Sequence, residues 1–323
     1  STLRSNVHIG QTRPKAAAPV QSATASWSWR LTRRTVVSAH RATAVTPIAV
    51  LACLAACTPG NDMSRTDTAA TPNVVTLTAR DFAFDAPDTI AAGFTTFHLV
   101  NNGEQLHMAQ LIRLDSGKTL DDFLVAYAEA FRTTGPRPTW APRLGGPGVA
   151  DPHGRSNATH KLEPGNYAWI CLMDVPDGIP HVVKARMAKA FTVRPRGSEA
   201  APDTAPKASI VMQLNEYTFS YDVPLAAGRQ MIRVENVGAE SHEVGLLKLA
   251  PGKTMQDFEA WARNPRGPPP ANAIGGVSSI TAGSDGYFEV DLTPGDYVLL
   301  CLVTAPDGRS HVEHGMIQHI RIN

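Results

Sequence analysis

Eight residues in this chain stand apart from any packing pattern: His107, Cys171, His181 and Met187, then His242, Cys301, His311 and Met316. Each set offers two imidazoles, one thiol and one thioether. A thiolate with two imidazoles and a long, weak thioether is the donor set of a mononuclear type 1 copper site. There the soft thiolate suits copper in both oxidation states and the axial ligand tunes the potential. The second set ends in a Cys-x9-His-x4-Met run, "CLVTAPDGRSHVEHGM", from 301 to 316. Such a site needs its other His from a distant strand, with Cys, His and Met gathered on one late loop. That arrangement occurs twice.

The distant His residues sit in matching strings. "NNGEQLHMAQLI", 101 to 112, and "NVGAESHEVGLL", 236 to 247, carry Asn, Gly and His in the same places, 135 residues apart. The repeat continues on both sides. "FAF" at 82 to 84 answers "YTF" at 217 to 219, and "SGKTLDDF" answers "PGKTMQDF". Further on, "GG" recurs at 145–146 and 275–276, "EPGNYAWIC" matches "TPGDYVLLC", and "PDGIPH" matches "PDGRSH" at a separation of 130. The second copy is therefore five residues shorter between its helix and its Gly pair.

Elements able to hold these residues are legible in both copies. "VVTLTARDFAF", "TTFHLVN", "QMIRVEN", "YFEVDL" and "DYVLLCLV" are rich in β-branched and aromatic residues and end at Pro-Gly or Asn-Gly breaks. The two-residue period puts Tyr167, Trp169 and Cys171 on one face, and likewise Tyr297, Leu299 and Cys301. The opposite faces are also apolar, so each is a central strand that delivers its Cys at its end. One helix per copy is expected. Thr119-x-x-Asp122 and Thr254-x-x-Asp257 resemble capping boxes, and Leu120, Phe123, Leu124 and Tyr127 follow helical spacing as a packing face. The resulting fold class is all-β: two tandem Greek-key sandwiches of ~100 residues, each with a short helical insertion.

The whole chain bounds what it can do. Its 323 residues suit about two domains, and 30 basic against 29 acidic side chains give a net charge of +1. Such a balance offers no basic field for nucleic acid. Arg30, Arg33, Arg34 and Arg41 precede the apolar stretch "ATAVTPIAVLACLAAC", which is too short for the ~20 residues of a membrane span and suits a secretory signal. Its last residues, Leu54-Ala55-Ala56-Cys57, resemble a bacterial lipobox, in which the Cys is acylated; cleavage of a plain signal peptide is the alternative. The expected organisation is an N-terminal extension and lipoprotein signal peptide over 1–57, a polar tether over 58–73, sandwiches over 74–193 and 209–323, and a linker over 194–208. Export alters the reading of the cysteines, but one Cys per half suits a ligand better than a disulfide framework. A bridge between the halves is the alternative.

Both copies resemble cupredoxins, the plastocyanin and azurin family. The resemblance implies that His107 and His242 are the first copper ligands, with Asn and Gly shaping the turn that presents them. It assigns Cys301, His311 and Met316, and Cys171 and His181, to the family's last loop. The ten-residue step from Cys301 to His311 is wide for a small cupredoxin and resembles the type 1 domain of copper nitrite reductases. The first copy departs further. Met187 falls six residues after His181, and Arg186 replaces Gly315, so copper is expected in the second copy ahead of the first. His153, His160, His314 and His319 lack counterparts and are read as solvated, with auxiliary copper capture near His314 as a lesser reading.

The resemblance also bears on catalysis. Copper oxidases and nitrite reductases place a His directly beside the type 1 Cys, whereas Ile170, Leu172, Leu300 and Leu302 hold those places here. No enzymatic role is expected. The implied function is one-electron transfer or copper holding outside the cytoplasm, at the periplasmic face or cell surface. The partner is a redox protein or a copper donor or acceptor, and the only membrane contact is a lipid anchor. A free buried Cys is also an ordinary core residue, so the competing reading is a metal-free sandwich used for interaction.

Overall fold

The computed structural model describes residues 72–174, 178–197, 204–263 and 269–323. The expected signal and Cys57 lie outside them, as do nearly all of the expected tether and part of the expected linker. Among the described residues no helix is long and apolar enough to cross a membrane.

Two tandem β-sandwiches follow one another. The first contains β1 (Asn73–Arg80), β2 (Ala83–Asp85), β3 (Thr89–Ala91), β4 (Gly93–Asn101), β5 (Gln110–Leu114), α1 (Leu120–Thr133), β6 (Arg155–Leu162), β7 (Gly165–Ile170), α2 (His181–Lys184) and β8 (Ala188–Arg194). The second contains β9 (Ile210–Asn215), β10 (Thr218–Tyr221), β11 (Gly228–Asn236), β12 (His242–Leu249), α3 (Met255–Arg263), β13 (Ala271–Ile280), β14 (Asp285–Leu292), β15 (Gly295–Leu300) and β16 (Ile317–Ile322). In the first, β2-β1-β4-β6 faces β3-β8-β7-β5; in the second, β10-β9-β11-β14 faces β13-β12-β15-β16.

The two Cys-bearing strands sit where their sequence put them. Tyr297, Leu299 and Cys301 enter the core between the sheets of the second sandwich, with Ile232, Val234 and Phe288. Val298 and Leu300 point the other way, onto Phe258 of α3. β7 does the same: Tyr167, Trp169 and Cys171 pack with Phe97 and Leu99, while Ala168 and Ile170 meet Phe123, Leu124 and Tyr127 of α1. Burial on both faces explains the continuous apolar sequence. It also leaves each Cys fixed by packing rather than by a flexible loop.

Both capping boxes are present. Thr119 Oγ1 accepts the Asp122 N–H at 3.1 Å while Asp122 accepts the Thr119 N–H at 2.8 Å, and Thr254 and Asp257 repeat the exchange. The expected single helix per copy is exceeded in the first, where α2 adds one turn after His181. That turn absorbs the extra residue before Met187. Arg186 takes the left-handed conformation, φ 53°, that Gly315 takes with φ 99° in the second copy.

The sandwiches are hydrogen-bonded to one another. The 143–150 segment runs between β5 and β13, donating from Gly145 to Ser279 O at 3.0 Å and accepting at Gly146 O from Ser278 at 2.9 Å. Gly146 and Gly276 close the approach. A Cβ on Gly146 would lie 2.1 Å from Ala109 O, and one on Gly276 1.9 Å from Val244 O. The recurring Gly pair therefore lets the 143–150 segment lie against the 107–114 stretch and β13 against β12.

Candidate metal centres

The Asn-x-Gly-x-x-x-His strings turn the chain at the sheet end. Asn101 Oδ1 accepts the Gly103 N–H at 2.9 Å and its amide donates to Gln105 O at 2.7 Å. Asn236 repeats both contacts, with Gly238 at 3.0 Å and Glu240 O at 2.8 Å. The polar string is thus a self-bonded loop whose last residue, His107 or His242, is aimed inward.

The late loops are equally alike. The His181 N–H donates to Met173 O and the His311 N–H to Val303 O, each at 2.8 Å. Cys171 donates its N–H to Met187 O, and Cys301 to Met316 O, each at 3.1 Å. The six-residue and five-residue steps thus converge on one backbone arrangement. Both methionines are fully buried in the core cluster of their own Cys.

The structure brings His107, Cys171 and His181 together, and separately His242, Cys301 and His311. All six are fully buried. In the first triad, Cys171 Sγ lies 3.6 Å from His107 Nδ1 and 3.5 Å from His181 Nδ1, and the two nitrogens are 3.2 Å apart. The point equidistant from these three atoms is about 2.0 Å from each, close to the ~2.0–2.3 Å of imidazole and thiolate bonds to a d-block ion. In the second triad, Cys301 Sγ is 3.4 Å and His242 Nδ1 3.0 Å from His311 Nδ1. The expectation that favoured the second copy finds no support in this geometry. The two cysteines are free and buried in separate triads, so no bridge joins the halves.

Carboxylates that the sequence reading did not single out brace the imidazoles. Asp81 Oδ1 is 2.6 Å from His107 Nε2, and its other oxygen accepts the Glu104 N–H at 2.9 Å. Burial raises the Asp81 carboxyl, but that N–H and His107 together hold it below the usual range. A carboxylate there fixes the proton on Nε2 and turns the Nδ1 lone pair toward sulfur. Glu240 Oε2, 3.1 Å from His311 Nε2, does the same in the second triad. His181 Nε2 and His242 Nε2 are buried without a hydrogen-bond partner. One signal was available: Asp81 and Glu216 hold the same place in the repeat, each just before the matched aromatic triplet.

Without an ion the triads are electrostatically awkward. Burial lowers His181 to about 4, helped by the neighbouring His107 imidazole. Burial also lowers His242 and His311. It pushes the Cys171 thiol up to about 12, and the Cys301 thiol rises through burial and the Glu243 carboxylate. Two imidazole lone pairs therefore face each other across a neutral thiol. A bound cation reverses this, because a coordinating thiol is deprotonated outright. The donor set fits copper, with the residues named above as its holders.

The unmatched histidines divide. His160 is buried, contrary to its reading as solvated, because the second sandwich covers β6; its Nε2 accepts the Gly146 N–H at 2.8 Å. His314 is also less exposed than expected. It stacks on Tyr217 at 4.4 Å and its Nε2 lies 3.0 Å from Asp307. His153 and His319 have largely exposed side chains beside Glu104 and Asp296.

No protein-family model and no curated protein matches the chain. Among solved structures, it is similar to auracyanin A, a "blue" copper protein from Chloroflexus aurantiacus, at 22% identity over 38% of this chain and 100% of that one, with a TM-score of 0.27. It is similar to reduced auracyanin from Roseiflexus castenholzii at 21% identity over 35% of this chain and 94% of that one, with a TM-score of 0.25. It is also similar to a blue copper oxidase from Nitrosomonas europaea at 14% identity over 78% and 86% of the two chains, with a TM-score of 0.24.

Proposed function

We propose that the chain is an exported type 1 copper protein with one centre in each sandwich, serving one-electron transfer or copper holding. The observation that carries this is the twice-built convergence of one Sγ and two Nδ1 atoms, with a buried Met in the same core. Copper bound there supplies a one-electron couple. The chain's own work is to hold the ligands. Cys171 and Cys301 are fixed by strands packed on both faces, and the late loop is fixed at both ends by backbone bonds. Carboxylates set the tautomers, and complete burial excludes water. A donor set that does not rearrange suits electron exchange, since little reorganisation accompanies a change of charge.

The proposal is for a carrier rather than a catalyst. Among the described residues the His/Cys/Asp/Glu groupings able to hold a metal are these two, and neither Cys is flanked by a His that would lead to a further centre. Export and acylation at Cys57 are proposed from the apolar stretch that ends there. The partner is proposed to be a redox protein or a copper donor or acceptor.

Visible absorption during Cu(II) titration of the wild type, Cys171→Ser and Cys301→Ser tests the reading. The expected result is an intense thiolate-to-copper band that each substitution halves. If reduced, folded protein gives no band, the metal-free interaction module becomes the reading.

A further inference from the structure

The ligands are fully buried, and in each triad two residues from one turn lie against the imidazoles. After β1, Asp81 is exposed and Phe82 half-buried; after β9, Glu216 is exposed and Tyr217 half-buried. The Phe82 ring meets His181 edge-on at 4.9 Å and His107 at 6.4 Å. Tyr217 meets His311 edge-on at 5.1 Å. The acid pins each turn to the His-bearing loop. Asp81 takes the Glu104 N–H and faces His107, while Glu216 takes the Ala239 and Glu240 N–H groups and lies 3.9 Å from His242 Nε2.

A second observation marks this contact as built. The Gly of each Asn-x-Gly string lies under the acid–imidazole pair. A Cβ on Gly103 would be 2.3 Å from Asp81 Oδ1 and 3.0 Å from His107 Nε2; one on Gly238 would be 2.6 Å from Glu216 Oε1 and 2.9 Å from His242 Nε2. The absence of a side chain at these positions is what lets the acid reach the ring, and it recurs in both repeats.

We propose that Asp81-Phe82 and Glu216-Tyr217 are caps, one per repeat, that seal the ligand triads and set the rate at which a metal ion reaches them. The aromatic ring blocks the path to sulfur, and the carboxylate both holds the cap down and attracts the cation. No covalent step is involved. What the caps admit depends on the copper reading, whereas the sealing does not.

The test uses the metal-free full chain and N-ethylmaleimide, with labelling quantified separately at Cys171 and Cys301 by peptide mass spectrometry. Phe82→Ala is expected to speed labelling at Cys171 at least about tenfold and leave Cys301 unchanged, as local opening of one cap requires. Tyr217→Ala should do the reverse, and Tyr217→Phe should restore protection at Cys301. Unchanged rates in folded variants, or equal acceleration at both cysteines, would overturn the caps. If an alanine variant does not fold, Asp81→Asn and Glu216→Gln, which keep size and remove the charge, are read by the same criterion. Copper uptake followed by absorption separates the two ideas. The selective labelling contrast without any copper band sinks the copper reading alone, and a band with unchanged labelling sinks the caps alone.

Discussion

Pro147 and Val277 pair with each other across the junction of the two sandwiches, and they are the same position in the two repeats. Leu144 pairs with Ile280 on one side of them. On the other sheet Tyr287 pairs with Thr159, flanked by Asn157, whose side-chain amide bonds the Glu289 C=O at 2.8 Å and N–H at 2.9 Å. Like meets like, so the repeats face one another as in an isologous dimer with both copies on one chain. Both sheets of each sandwich are thereby continued into the other.

That junction predicts one unfolding event. Asn157 is a side chain in the place of a ladder rung, and Asn157→Ala leaves the half-buried Glu289 backbone groups without it. A loss of about 1–3 kcal/mol is expected in urea denaturation, with both halves shifting together when followed by fluorescence and by cysteine labelling. Two separate transitions in the wild type would contradict a shared core.

His160 predicts an acid-side weakness. It lies in a slot where a Cβ on Gly145 or Gly286 would come within 2.4 or 2.2 Å of its Cε1. Burial lowers it to about 4 from 6.5, opposed by a hydrogen bond to the Asp285 backbone and by the Asp285 charge. Between those pH values the unfolded chain takes up a proton that the folded chain refuses, so stability falls as pH drops through the window. The loss amounts to about 3 kcal/mol by pH 4. His160→Val, the residue its repeat partner Val290 supplies, should flatten the urea midpoint between pH 6.5 and 4. Equal slopes in the two proteins would show that His160 does not titrate this way.

How much of this was legible follows from what each residue needs. The Cys, His and Met sets could be read because rare soft donors recur in order, and the central strands because burial on both faces leaves an apolar run. Met187 sat one residue out of register, and sequence could not show that α2 and the left-handed Arg186 absorb the excess. Asp81 and Glu216 were not singled out, since their role depends on a turn closing over a glycine, nor was Glu240, whose reach to His311 needs the late loop folded back beside it. His160 was misread because its burial comes from the other sandwich, which no local pattern records.

Gly103→Ala and Gly238→Ala should each damage one centre only. The added methyl must displace Asp81 or Glu216 from its imidazole. Loss of a hydrogen-bonded carboxylate such as Asp81 costs ~10–100-fold in metal affinity; Glu216 stands 3.9 Å from His242 Nε2 and makes no such bond, so Gly238→Ala should cost less. Chelator competition, read at the copper band with the other Cys replaced by Ser, should show that loss in the matching repeat. Undiminished affinity would mean the carboxylate plays no part in orienting the ring.

Copper affinity should climb with pH, for a reason visible in the triads. With Cys171 held at about 12 by burial and His181 lowered to about 4, the metal-free first site at neutral pH has a neutral His181 imidazole and a protonated thiol. Binding must therefore expel the thiol proton, about one per ion. The apparent association constant then rises about tenfold per pH unit around neutral pH, as expected for a thiol proton released on binding. Calorimetry in two buffers of different ionisation enthalpy counts the released protons directly. Release of about one proton per copper, abolished in a Cys171→Ser, Cys301→Ser double variant, is the expected outcome. Binding with no release and no pH slope would show that copper, if held at all, is not held by these thiolates.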